Sequence, residues 1–176
     1  LRAGADANAT NELGVTPLSL ACVNGSASMV ERLLARGADI SRTLPTGVTA
    51  LMTCARSGSV DAVRHLLTAG ANVNALETVR GQTALMWAVA ERHALVAEVL
   101  VTAGANASAK SISSFTPLLF AAQQGDQKSA RILLDSGVDI NDVGSDGSAA
   151  LLVATESGHV DMVRFLIEAG ADIDAM

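Results

Sequence analysis

The sequence predicts an all-α repeat solenoid: stacked helix-turn-helix units joined by hairpin-like loops. Three observations carry that prediction. A Gly-Ala-Asp-like triplet starts at Gly4, Gly37, Gly70, Gly104, Gly137 and Gly170, in steps of 33, 33, 34, 33 and 33 residues. A second marker keeps the same period. It reads Gly14-Val15-Thr16-Pro17-Leu18, then Gly47-Val48-Thr49-Ala50-Leu51, Gly81-Gln82-Thr83-Ala84-Leu85, Ser114-Phe115-Thr116-Pro117-Leu118 and Gly147-Ser148-Ala149-Ala150-Leu151. Between the markers lie two short apolar patterns at helical spacing. Neither can bury its apolar face alone, but stacked neighbours share a continuous core.

The elements follow in order from those markers. Residues 1–9 read as the tail of one unit. Five full units follow at about 10–42, 43–75, 76–109, 110–142 and 143–176, all in one domain spanning 1–176. The unit at 43–75 shows the logic. Thr49 is placed to cap the free N–H groups of a short first helix, Leu51 to Ser57. Gly58 ends that helix in a left-handed conformation that glycine adopts without penalty. Val60 to Thr68 forms the second helix, with Val63, Leu66 and Leu67 at helical spacing, and Gly70 closes it. Ala71 to Ala75 then runs extended into the next turn. The one 34-residue step is an inserted residue between Ala75 and Gly81, in a loop, where insertion does least harm.

A 33-residue period carrying Gly-x-Thr-Pro-Leu-x-x-Ala, a glycine at mid-unit and a closing Leu-Leu-x-x-Gly-Ala-Asp resembles the ankyrin repeat. The resemblance covers the whole chain. Gly-Gln-Thr-Ala-Leu-Met-Trp-Ala, at 81–88, is more similar to bacterial members than to animal ones. The chain departs from the family pattern at two kinds of site. The histidine usual after Pro-Leu is replaced by Ser19, Met52, Met86, Leu119 and Leu152, so its hydrogen bonds near the hairpin should be missing or remade. Arg92 stands where Gly25, Gly58, Gly125 and Gly158 stand elsewhere, so it must take a strained left-handed conformation or change the turn. His159, following Gly158, matches the family's Gly-His turn, for which the resemblance implies a structural hydrogen bond.

Composition narrows the function. Of 176 residues, 49% are apolar and 17% charged, so the chain can bury a core and is not a disordered tail. A net charge of -6 and only four aromatic residues argue against nucleic acid, which calls for a basic stripe or stacking platforms. No apolar run approaches the ~20 residues of a membrane span. Cys22 and Cys54 are too few for a disulfide framework or a zinc set, and each reads as a small buried hydrophobe. No signal peptide is visible. The chain begins mid-pattern at Leu1 and reads as a fragment of a longer protein. The compartment therefore stays open, with the cytoplasm favoured over secretion or the periplasm.

Sites of chemistry are sparse. His65, His93 and His159 fit no metal spacing. Asp6, Asp39, Asp139 and Asp172, with Asn72 and Asn106 in the same slot, could form a ladder of calcium ligands. Repeated turn chemistry explains them more simply, since Asp and Asn bond their own backbone in tight turns. Three glycosylation triplets, at Asn8, Asn24 and Asn106, matter only on a secretory route. The expectation is no catalytic residues, no metal and no cofactor.

The resemblance implies a binding face made of hairpin tips and the exposed sides of the first helices. Carried over slot by slot, it gives Leu13, Val15 and Asn24 in the first unit, and Thr46, Val48 and Arg56 in the second. Arg80, Gln82 and Glu91 follow, then Phe115, Gln123 and Gln124, then Asp146 and Glu156. These positions vary between units while the framework hardly does. Phe115 is the expected aromatic anchor, with packing against a neighbouring unit as the competing role. Trp87 and Phe120, in the slot of Leu20 and Val153, are expected in the core. The predicted function is a non-catalytic scaffold that binds another protein. The alternatives are the regulatory or targeting arm of a larger enzyme, transporter or secreted effector, a structural spacer, or a metal-dependent solenoid. Neither end shows a polar capping unit, so end-to-end self-contact is a further expectation.

Overall fold

The structure, a computed structural model, describes residues 5–174. Gly4, at the head of the first triplet, and the terminal Ala175-Met176 lie outside the described residues. Among the described residues, ten helices pair off in chain order. They are α1 (Pro17–Val23) with α2 (Ala27–Leu34), α3 (Ala50–Arg56) with α4 (Val60–Thr68), and α5 (Ala84–Ala90) with α6 (Ala94–Thr102). Next come α7 (Pro117–Gln124) with α8 (Gln127–Asp135), and α9 (Ala150–Glu156) with α10 (Val160–Glu168). Among the described residues the only β-pairing is two isolated bridges, Thr43 with Thr49 and Val143 with Ala149.

Local chemistry sets each boundary. The hydroxyls of Thr16, Thr49, Thr83 and Thr116 accept the N–H three residues on, capping α1, α3, α5 and α7. Pro17 and Pro117 begin their helices at a position where no N–H is needed. Each second helix ends at a left-handed glycine, after which one N–H reaches back five residues, as from Ala71 to the Leu66 carbonyl at 3.0 Å. The bond expected to be lost with the family's histidine is remade in the first unit, where Ser19 Oγ accepts the Thr16 N–H at 3.0 Å.

The first helices α1, α3, α5, α7 and α9 pack in one row, and α2, α4, α6 and α8 in a second beside it. Leu18, Leu51, Leu85 and Leu118 from the first row share one core with Leu66, Leu100 and Leu133 from the second and Leu166 from α10, all essentially without solvent contact. In α10, Met162 and Leu166 are buried, Val163 and Phe165 half-buried and Ile167 exposed.

The cysteines correct the sequence reading in one respect. Both are fully buried, but as a disulfide joining α1 to α3, not as free thiols. Their separation of 32 is one short of the period, which sets Cys22 against the neighbouring slot of the next unit. The same facing slots hold Ala55 and Ala88, Val89 and Ala121, then Ala122 and Ala154, all fully buried. Consecutive first helices thus approach closely at every junction, and only the first junction holds a thiol pair.

Arg92 takes the left-handed option, at φ +61, and Ser114 does the same at φ +58. The residue facing the turn explains why arginine is tolerated there. A Cβ on Gly58 would lie 2.7 Å from the His93 ring, and one on Gly125 would lie 2.8 Å from the His159 ring. The unit after Arg92 carries Asp126 in that slot. Its carboxylate turns away to cap α8, accepting the Lys128 and Ser129 N–H groups. A glycine is required where an imidazole packs on the turn and dispensable where none does.

Side chains stitch the junctions in an alternating pattern. Asn8 donates to the Gly37 carbonyl and accepts the Asp39 N–H. Asn74 does the same with Gly104 and Asn106, and Asn141 accepts the Asp172 N–H. Ser41 and Ser108 occupy the slot in the intervening units and make no such bridge. The histidines follow the same alternation. The Nε2 of His93 bonds the Arg56 carbonyl, and that of His159 bonds the Gln123 carbonyl, each at 3.0 Å. The second unit is therefore stitched to the third, and the fourth to the fifth, by Asn and His together.

Candidate functional site

The hairpin tips and first helices share one side of the molecule. Each tip is closed by an N–H to a carbonyl four residues on: Asn11 to Val15, Leu44 to Val48, Ser111 to Phe115 and Gly144 to Ser148. The third tip spans one residue more, Glu77 to Gln82 at 3.1 Å, which locates the inserted residue. Its organiser is Glu77, only 4% exposed. The carboxylate accepts N–H groups from Val79 (2.7 Å), Arg80 (2.8 Å) and Gln82 (3.0 Å). Burial pushes its pKa up, but those three donors and the Arg80 guanidinium outweigh burial and hold it below the ordinary glutamate value.

Neighbouring tips bond laterally. Thr78 gives its N–H and hydroxyl to the Thr46 carbonyl, at 2.8 and 3.0 Å. The Ile112 N–H meets the Arg80 carbonyl at 2.8 Å, and the Ser145 hydroxyl meets the Ser113 carbonyl at 3.1 Å. Lys110 adds an ion pair to Asp142 at 2.8 Å. Pro45 occupies the donor slot of the second tip and has no N–H to offer the first.

The expected contact residues fall into two groups. Leu13, Asn24, Thr46, Arg56, Arg80, Glu91, Gln123, Asp146 and Glu156 are exposed. Val15, Val48, Gln82, Phe115 and Gln124 are half-buried. Phe115, expected as an anchor or as a packing residue, is half-buried against the core, which fits the packing role. It precedes the cap Thr116 and meets Phe120 edge-on at 4.9 Å, a hydrophobic staple across the helix start. The prominent apolar tips are instead Leu13 (71% exposed), Val79 (65%) and Ile112 (71%). Trp87 and Phe120 are half-buried against the core. In their slot Leu20 is exposed while Val153 is buried.

One contact on this side was not foreseen. The Arg56 guanidinium lies 5.0 Å from the centre of the Trp87 ring, across the junction of the second and third units. The indole Nε1–H is shut off from solvent and meets no acceptor. Arg56 and Trp87 are 31 positions apart, which the repeat alignment alone could have turned into a cross-junction neighbour pair.

The Asp and Asn ladder is turn chemistry. The Oδ1 of Asp6, Asp39, Asn72, Asn106, Asp139 and Asp172 each accepts the N–H two residues on. At Asp39 the Ser41 hydroxyl and N–H lower the pKa, and at Asp146 the Ser148 N–H does so first. Among the described residues no three His, Cys, Asp or Glu side chains converge as a metal set, and no helix is long and apolar enough to cross a membrane.

A family model described as "Ankyrin repeats (3 copies)" matches residues 1–77, 37–111 and 106–176, which together take in the whole chain. No curated protein matches it.

Proposed function

Because the chain belongs to the ankyrin-repeat family, whose repeats are generally protein–protein interaction modules, we propose that it is a non-catalytic scaffold binding a partner protein on its hairpin and first-helix side. That side is the concave one in solenoids of this kind. The observation that carries the reading is the row of exposed apolar tips, Leu13, Val79 and Ile112, the last two on tips bonded to their neighbours. Large apolar side chains held in fixed positions lose little entropy on binding, and exposed apolar patches mark interaction sites. The exposed Arg56, Arg80, Glu91 and Glu156 add polar groups that select a partner.

The test is capture of a partner from the source cell by three forms of the chain. One is unaltered, one carries Leu13→Ser, Val79→Ser and Ile112→Ser, and one carries Leu95→Ser and Val160→Ser on the second helices. All five residues are exposed, so the fold should persist. A protein retained by the first and third forms and lost by the second is the expected result. Equal retention by all three refutes the proposed face.

A further inference from the structure

We infer that Arg56, stacked on Trp87 and flanked by Arg92, is a carboxylate receptor that takes an Asp or Glu side chain from an extended acidic segment of the partner protein. This rests on the binding side proposed above and specifies the chemistry of its occupant. Arg56 and Arg92 are both exposed, and neither pairs with a carboxylate among the described residues. The His93 imidazole ties the two segments by their backbone: its Nε2 bonds the Arg56 carbonyl at 3.0 Å, and Arg92 is the preceding residue. Unpaired guanidinium groups on adjoining segments favour an anionic occupant.

The placement of Arg56 suits it to the task. Stacking against the indole face leaves the N–H edge of the guanidinium free, and that fork matches the two oxygens of a carboxylate. Nearby acids leave the site open. Glu77 spends its carboxylate on three backbone N–H groups, and Glu91 makes no ion pair with either arginine. Arg92 holds its place at φ +61, where four other units have glycine.

A carboxylate fits better than a polyanion. The chain carries a net charge of -6, and Glu91, Asp146 and Glu156 on the same side repel a long run of phosphates. The half-buried Trp87 ring puts apolar surface under Arg56, so the favoured segment sets apolar residues beside its acidic ones.

Trp87 is the only tryptophan, and there is no tyrosine, so its emission reports directly on this site. The probes are three acetylated and amidated peptides on one apolar frame, bearing Glu, Gln or Lys at alternate positions. The Glu peptide is expected to bind roughly tenfold or more tighter than the Gln peptide, as a charge-assisted hydrogen-bond pair implies. Added salt should narrow that gap. Arg56→Gln and Arg92→Gln should each erase the preference while the helical circular dichroism stays unchanged. Arg131→Gln, which removes a similar stack on Phe165 (5.1 Å) between second helices, should keep it. Equal binding of the Glu and Gln peptides, or binding of neither, overturns the inference; the scaffold reading stands if the tip variant still loses its partner. A preference abolished by Arg131→Gln and kept by Arg56→Gln overturns both.

Discussion

The coupling between a turn glycine and the imidazole packed on it gives a prediction that can be worked through. The perturbation is Gly125→Ala. Gly125 sits at φ +64, and its new Cβ would lie 2.8 Å from His159 Cγ and 2.9 Å from Nδ1. These atoms belong to a ring, so the ring as a whole must move. An L-residue in the left-handed region costs about 1–2 kcal/mol. Displacing the ring breaks its bond to the Gln123 carbonyl, a further loss of about 1 kcal/mol. The single variant should thus lose about 2–3 kcal/mol. With His159→Ser already in place, the ring is gone and the same alanine should cost only the backbone share, about 1–2 kcal/mol. Ser59 opposite Gly25 shows the geometry of that background: a Cβ there would find its nearest neighbour at 3.8 Å. Urea unfolding of the four members of this double-mutant cycle, followed by circular dichroism and by Trp87 emission, should yield a coupling of about 1 kcal/mol. If Gly125→Ala costs the same in both backgrounds, the ring yields freely and the account of the turn is wrong. The companion variant has the opposite sign. Arg92→Gly relieves an L-residue at φ +61 that faces no ring, and should stabilise by up to about 1 kcal/mol.

Two more outcomes follow from buried groups. Glu77→Gln removes a charged acceptor from three N–H groups and should cost about 1–3 kcal/mol near neutral pH. Because the folded pKa is lowered, the carboxylate's contribution is complete above the unfolded value of roughly 4.3 and fades as pH falls through the folded one. Melting curves of the two proteins should therefore converge in acid, and a constant gap would sink the assignment. Reducing Cys22–Cys54, which closes a loop of 32 residues, should lower stability by roughly 3–4 kcal/mol on the chain-entropy estimate. A Cys22→Ala, Cys54→Ala variant should not respond to reductant, and an unresponsive parent chain would mean that no such crosslink forms.

The solenoid was legible because its cause is periodic. One set of turns and apolar slots recurs five times, with a threonine cap in four of them, and the helix Val60–Thr68 was placed to the residue. The first helix of that unit lies one residue earlier than expected, at Ala50–Arg56, because the cap Thr49 is followed at once by helical backbone. What the pattern hid lies across junctions. The disulfide joins slots 32 apart, visible only once the facing helices are aligned one position out of register. The burial of Glu77 has no signal in the sequence, because nothing local announces that a tip one residue longer folds its backbone N–H groups around a carboxylate. Of the two roles the sequence left open for Phe115, packing is the one its slot favours: the position before a helix cap faces back onto the helix, and the same slot is half-buried in all five units at Val15, Val48, Gln82, Phe115 and Ser148.

The alternation of Asn and His stitches gives the array a larger grain than its repeat. A chain of equal links would fray one unit at a time from its ends. Here the second and third units are laced together, as are the fourth and fifth, while the third and fourth meet through packing and a single tip bond. Under tension the chain should pay out in lengths of two units, with the seam near Ser108 parting first. The first unit lacks both Asn and His lacing to the second, and Pro45 denies it the tip bond. Its attachment rests on helix packing and on one covalent bond inside the helix row. With that bond intact it rides with the doublet beside it; with the thiols reduced it becomes the loose end from which peeling begins.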